Sequence, residues 1–173
     1  MAFKIITTSS LIPRNGIDIL IKACSLLDID WELTVAGSGT EEQPLKKLAL
    51  GLPVKFLGRV PNKLVSSLLV SSNLFVRPSR FEGFGSSFIE AMAAGLPTIG
   101  TPVGGIVDFL KDNKTGFLVP VDNPKALAQK IEYIYSHPKE AKKIALAGQK
   151  FVLENYSWDK ISAKVFDEFQ KLL

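Results

Sequence analysis

The sequence predicts an α/β fold, a parallel sheet doubly wound with helices on both faces. Short apolar runs alternate with amphipathic stretches from one end of the chain to the other. Apolar residues within the longer stretches recur at helical spacing, as at Ile17, Leu20, Ile21, Cys24 and Leu27. Gly and Pro stand where one pattern gives way to the next, as at Gly37, Pro78, Gly95 and Pro97.

Taken in order, Lys4–Thr8 is a strand and Gly16–Leu27 a helix. Trp31–Ala36 is a strand ending at Gly37-Ser38-Gly39, after which Thr40 caps a helix with Gln43 in the reciprocal position. Val54–Leu57 is a short strand, and Asn62 caps a helix running to about Val70. Leu74–Arg77 is a strand stopped by Pro78, and Ser86–Ala94 a helix stopped by Gly95 and Pro97. Thr98–Gly100 and Phe117–Val119 are strands, with a helical turn or two at Ile106–Leu110 between them. Pro124–Ser136, Pro138–Asn155 and Trp158–Leu173 are helices. With no repeat or linker, the whole 1–173 span is expected to form a single Rossmann-like domain. Ligands of such sheets sit beyond the carboxyl ends of the strands, where the strand order reverses.

Composition narrows the function. The net charge is +4, and Lys and Arg are scattered except at Lys142-Lys143 and the Lys111/Lys114 pair. No basic stripe is interleaved with aromatics, so no nucleic-acid partner is expected. With 46% hydrophobic residues the chain can bury an ordinary core, and no run is long enough to span a bilayer. Its start lacks the uninterrupted apolar stretch of a signal peptide. Cys24 and His137 are the sole cysteine and the sole histidine, which speaks against a zinc site or a Ser-His-Asp triad. Cys24 falls on an apolar helix face and is expected to pack, and His137 to lie in a surface turn. No metal and no cofactor is expected.

The informative stretch is Pro78–Pro97 (PSRFEGFGSSFIEAMAAGLP). A strand ends, a loop with Gly83 and Gly85 follows, and a helix opens near Ser86-Ser87. Backbone N–H groups at a helix start, approached over glycine, suit a phosphate or a sugar hydroxyl. Glu82 and Glu90 frame the loop, with seven residues between them. A carboxylate on a helix as apolar as Phe88–Ala94 needs a partner, which vicinal hydroxyls of a ligand could supply. The alternatives are that Ser87 and Glu90 form a capping box and that Glu82 is a solvated loop residue.

This run resembles the signature of family-4 glycosyltransferases. Thr101–Asp108, with its Gly104-Gly105 turn, and Lys114–Pro120 continue the match in order. Val35–Gly39 and Phe56–Val60 precede it, and the resemblance covers Phe3 to Leu173. It implies the C-terminal, donor-binding half of a two-domain GT-B fold, acting on a nucleotide-diphosphate sugar with retention of configuration and without a metal. By position, it implies that Glu90 holds ribose hydroxyls and that Glu82 stands near the transferred sugar. Gly83, Phe84, Gly85, Ser86 and Ser87 match the loop that contacts sugar and diphosphate, and Arg59-Val60 the region that reads the base.

Two departures stand out. Relatives carry an Arg and a Lys after the first strand that clamp the diphosphate, and here Ser10 and Asn15 occupy those places. Charge-assisted hydrogen bonds are about twice as strong as neutral ones, so the loss matters. Arg14 is the candidate replacement and Arg80 a weaker one, the alternative for Arg14 being an exposed turn residue. Second, relatives bind the acceptor on an N-terminal domain. This leaves a fragment, a donor subunit with a separate acceptor domain or subunit, or a degenerate remnant. The expected setting is cytoplasmic, with peripheral membrane association reached only through an acceptor half. A nucleotide-sugar-binding protein without turnover is the competing function, and an inert domain the third.

Overall fold

The computed structural model describes residues 2–170, with backbone alone at 158, 159, 163–165 and 168. The strands are β1 (Phe3–Thr8), β2 (Trp31–Ala36), β3 (Val54–Gly58), β4 (Leu74–Val76), β5 (Thr98–Gly100) and β6 (Phe117–Leu118). The helices are α1 (Ile17–Cys24), α2 (Glu42–Leu48), α3 (Asn62–Val70), α4 (Ser86–Ala93), α5 (Ile106–Phe109), α6 (Pro124–Ser136), α7 (Pro138–Asn155) and α8 (Trp158–Gln170). All strand pairs in the sheet are parallel, in the order β3-β2-β1-β4-β5-β6. The expected α/β, doubly wound, Rossmann-like class is what forms. The order reverses between β1 and β4, and that seam is the switch point.

Strand alternation divides the core in two. Ile5, Leu33, Leu74 and Val76 point to one face, toward Leu20, Cys24, Leu127 and Ile131 of α1 and α6. Ile6 and Phe75 point to the other, toward Phe88 and Met92 of α4 and Phe109 of α5. Short strands buried on both faces are continuous apolar runs for this reason. Cys24 is fully buried, and burial pushes its thiol pKa up to about 12. His137 lies between α6 and α7, exposed, with its ring stacked on Tyr133 at 4.3 Å.

The element ends shift, and the expected caps change. Helix α1 opens at Ile17, after a 3-10 turn over Pro13–Asn15. The cap position of α2 is Glu41, not Thr40, and no side chain bonds there. Asn62 lies inside α3, behind Pro61, and likewise caps nothing. Asn123 does cap, accepting from the Ala126 N–H at 3.0 Å. The last three residues of the expected Trp158–Leu173 helix lie outside the described residues.

Phe88 joins sheet, helix and site, with edge contact to Phe75 at 5.4 Å and tilted contact to Phe109 at 6.3 Å. Phe88→Ala is expected to lower the unfolding free energy by about 3–5 kcal/mol in urea titration.

Candidate functional site

The carboxyl ends of β1–β4 open onto a polar cleft of about 510 Å³. Thr8 and Ser10 line it from β1, Gly37 and Ser38 from β2, Arg59 and Val60 from β3. Arg77 lines it from the end of β4, and Ser86, Ser87 and Glu90 from α4. The chain reaches this rim five separate times because parallel strands all end on the same side.

Helix α4 begins at Gly85, whose φ of 88° is left-handed. A Cβ there would meet Phe88 Cδ2 at 3.0 Å and Glu82 Cγ at 3.3 Å, so only glycine turns the chain sharply enough. The first N–H groups of α4, those of Ser86 and Ser87, have no intrahelical partner and sit at the positive end of the helix. No capping box forms. Ser87 Oγ instead accepts from Arg77 Nη1 at 2.7 Å, which leaves Glu90 free of a capping role.

Glu90 has no hydrogen bond to its carboxylate among the described residues. Partial burial raises its pKa above the ordinary glutamate range, and the nearby Arg77 charge pulls it back in part. Thr8 is a second unsatisfied group, a buried hydroxyl at the end of β1 with no partner among the described residues. Such a wall can accept hydrogen bonds at a carboxylate, exchange one at a hydroxyl and donate from helix-end N–H groups.

Glu82 is placed differently. It is not a solvated loop residue, since its side chain is only 16% exposed and paired with Arg77 Nη2. Its other oxygen accepts from the Gly83 N–H at 3.1 Å. The turn expected at Gly104-Gly105 lies against this loop. Gly104 has φ 51°, and a Cβ there would overlap the Glu82 carbonyl oxygen. The Gly105 N–H donates to Gly83 O at 3.0 Å, and Thr101 Oγ1 to Ser79 O at 2.5 Å. Gly83 and Phe84 are exposed, and the Phe84 ring meets Phe109 and Tyr156.

Three residues considered for the diphosphate separate. Asn15 is buried, and its amide donates to Ser10 O at 2.8 Å, so it supports the turn instead of facing the cleft. Arg80 is likewise committed elsewhere: it forks onto both Asp18 oxygens at 2.9 Å and donates to Asp122 at 2.6 Å. Arg14 is exposed on the 3-10 turn, and its side chain makes no hydrogen bond or ion pair among the described residues. It lies near enough to Arg77 for the two charges to repel.

Arg77 itself was missed by sequence reasoning. It is 7% exposed, bonds to Ser79, Ser87 and Glu82, and carries its guanidinium 4.7 Å from the Phe88 ring centroid. Burial first, then repulsion from Arg14, lowers its pKa to about 10. The available signal was a cation ending the apolar run Leu74–Val76 directly before Pro78.

Comparison with known proteins agrees with this geometry. An uncharacterised glycosyltransferase of Methanocaldococcus jannaschii is 30% identical over 164 residues, covering 93% of this chain and 46% of its own. A GDP-mannose-dependent monoacylated alpha-(1-6)-phosphatidylinositol monomannoside mannosyltransferase of Corynebacterium glutamicum is 29% identical, covering 94% and 45%. The chain thus spans about half the length of the curated relatives it matches. The fold superposes on Anabaena HepE, solved with UDP and glucose, with TM-score 0.90 at 23% identity, over 98% of this chain and 48% of that one. It is the C-terminal, half-sized domain of the GT-B architecture. The model of the glycosyl transferases group 1 matches residues 1–164, and the chain belongs to that family.

Proposed function

We propose that this chain is the donor-binding half of a retaining hexosyltransferase and holds a nucleotide-diphosphate sugar in the rim cleft. The observation that carries this reading is Glu90, a carboxylate lining the cleft with no hydrogen-bond partner among the described residues. Ionised, it accepts two hydrogen bonds, which suits the vicinal hydroxyls of a ribose. Ser86 and Ser87 then present their N–H groups to the diphosphate, and Arg59 and Val60 border the base. Glu82 lies on the sugar side of the glycine loop. As the bond from the sugar to the diphosphate breaks, charge builds on the leaving oxygens, where the α4 N-terminus and Arg14 stabilise it. No metal enters this reading, and the GDP-mannose dependence of the Corynebacterium relative is the kind of donor chemistry it supposes.

Acceptor binding belongs to a partner domain or subunit. Phe81, 62% exposed beside the loop, and Phe166 and Phe169, exposed on α8, are apolar surface available for it. No helix among the described residues is long and apolar enough to cross a membrane, and this reading assigns any peripheral membrane association to that partner. A cytoplasmic setting goes with this reading. The second reading, donor binding without turnover, is favoured by the β1 side of the cleft, where Ser10 is neutral and Asn15 is turned away. Sugar transfer or donor hydrolysis by the chain together with an acceptor half decides between the two.

Calorimetric titration of UDP-, GDP- and ADP-sugars tests the first reading. Hydrogen bonds to a charged group contribute about 1.5–3 kcal/mol, so Glu90→Gln is expected to weaken the bound donor roughly 10- to 100-fold. Binding favours the ionised form and so lowers the Glu90 pKa. Affinity is therefore expected to be flat above the raised pKa of the free protein and to fall as pH drops through it. The Glu90→Gln variant is expected to lose this fall. Arg14→Ala is expected to weaken a nucleoside diphosphate about ten-fold, and unchanged affinity removes Arg14 from the site.

A further inference from the structure

We propose that Arg77 is a positioning residue that sets Glu82 for the sugar of the donor, an inference that rests on the donor-binding reading. The two framing carboxylates are in opposite states. Glu90 faces the cleft unpartnered, whereas both oxygens of Glu82 are committed, one to Arg77 and one to the Gly83 N–H. The Gly83 N–H belongs to the loop itself, so among the described residues the hydrogen-bonding anchor of the Glu82 carboxylate from outside the loop is the Arg77 guanidinium.

Arg77 is tethered through each arm of its guanidinium. Its Nε donates to Ser79 Oγ at 3.2 Å and its Nη1 to Ser87 Oγ at 2.7 Å, leaving Nη2 for Glu82. The Phe88 ring closes one side at 4.7 Å. A rigid planar fork held at three corners transmits its own orientation to the carboxylate it meets. The same fork ties the end of β4, the glycine loop and the first turn of α4 into one unit. Arg77 is 7% exposed, and most of its donors are already used, so it acts through Glu82 and not as a free phosphate clamp.

The test compares the affinity of the whole chain for UDP, GDP and ADP with that for UDP-glucose, GDP-mannose and ADP-glucose. In Arg77→Gln, the ratio of nucleotide-sugar to nucleoside-diphosphate affinity is expected to fall about ten-fold. Glu82→Gln is expected to shift the ratio equally, and the double variant no further, because the two residues act as one unit. Arg77→Lys keeps the charge but not the fork and is expected to restore only part. If Arg77→Gln does not fold, the Lys variant carries the same comparison. Equal losses for both ligand types would make Arg77 a phosphate ligand or a structural residue and overturn the proposal, as would additive losses in the double variant. If the unaltered chain binds none of the six ligands, the donor reading itself falls, an outcome distinct from an unchanged ratio.

Discussion

A guanidinium has been taken out of water at the end of β4, and the carboxyl rim is organised around satisfying it. An ion so placed loses several kcal/mol of hydration, and removing one partner of a buried pair costs about 3–5 kcal/mol. Ser79, Ser87 and Glu82 supply the partners, and all lie on the segment that follows Arg77. The loop is therefore held by a charge as well as by the Phe84 ring against Phe109 and Tyr156. The Gly104-Gly105 turn is the counterpart beneath it, since only a residue without a side chain can press against the Glu82 carbonyl.

The same arrangement makes the cleft electrically uneven. Glu90, Arg59 and Arg77 line it, and Arg77 is closed on Glu82 behind the wall. Glu90 keeps an uncommitted carboxylate among the described residues, and Arg14, beyond the lining, is an exposed cation. Repulsion between Arg14 and Arg77 is a standing cost that an anion would relieve.

The strands and helices were legible because apolar runs and helical periodicity are local properties, and their ends move by only a few residues. The caps were less so. Thr40, Asn62 and Ser87 have the right chemistry, but Glu41, Pro61 and Gly85 hold the cap positions. A hydroxyl near a helix start serves whichever donor reaches it, and for Ser87 that donor came from β4. Asn15 and Arg80 follow the same logic: their partners, Ser10 O and the Asp18 carboxylate, are set by how the turn folds back on α1. Arg77 was missed because a cation ending an apolar strand marks a position but not its burial, which comes only when the Glu82 loop closes over it.

The cleft has no local origin. Its walls come from segments near residues 8–10, 37–38, 59–60, 77 and 86–90, brought together only when the parallel sheet is complete. No hairpin or single helix of this chain contains even a rudimentary version of it. A fluctuation that frays α8 leaves the cleft standing, while one that parts β1 from β4 abolishes it at a stroke. Occupancy of the cleft therefore draws its linkage energy from the global unfolding equilibrium, and a bound ligand would slow exchange of the central-strand amides rather than merely quieting one loop.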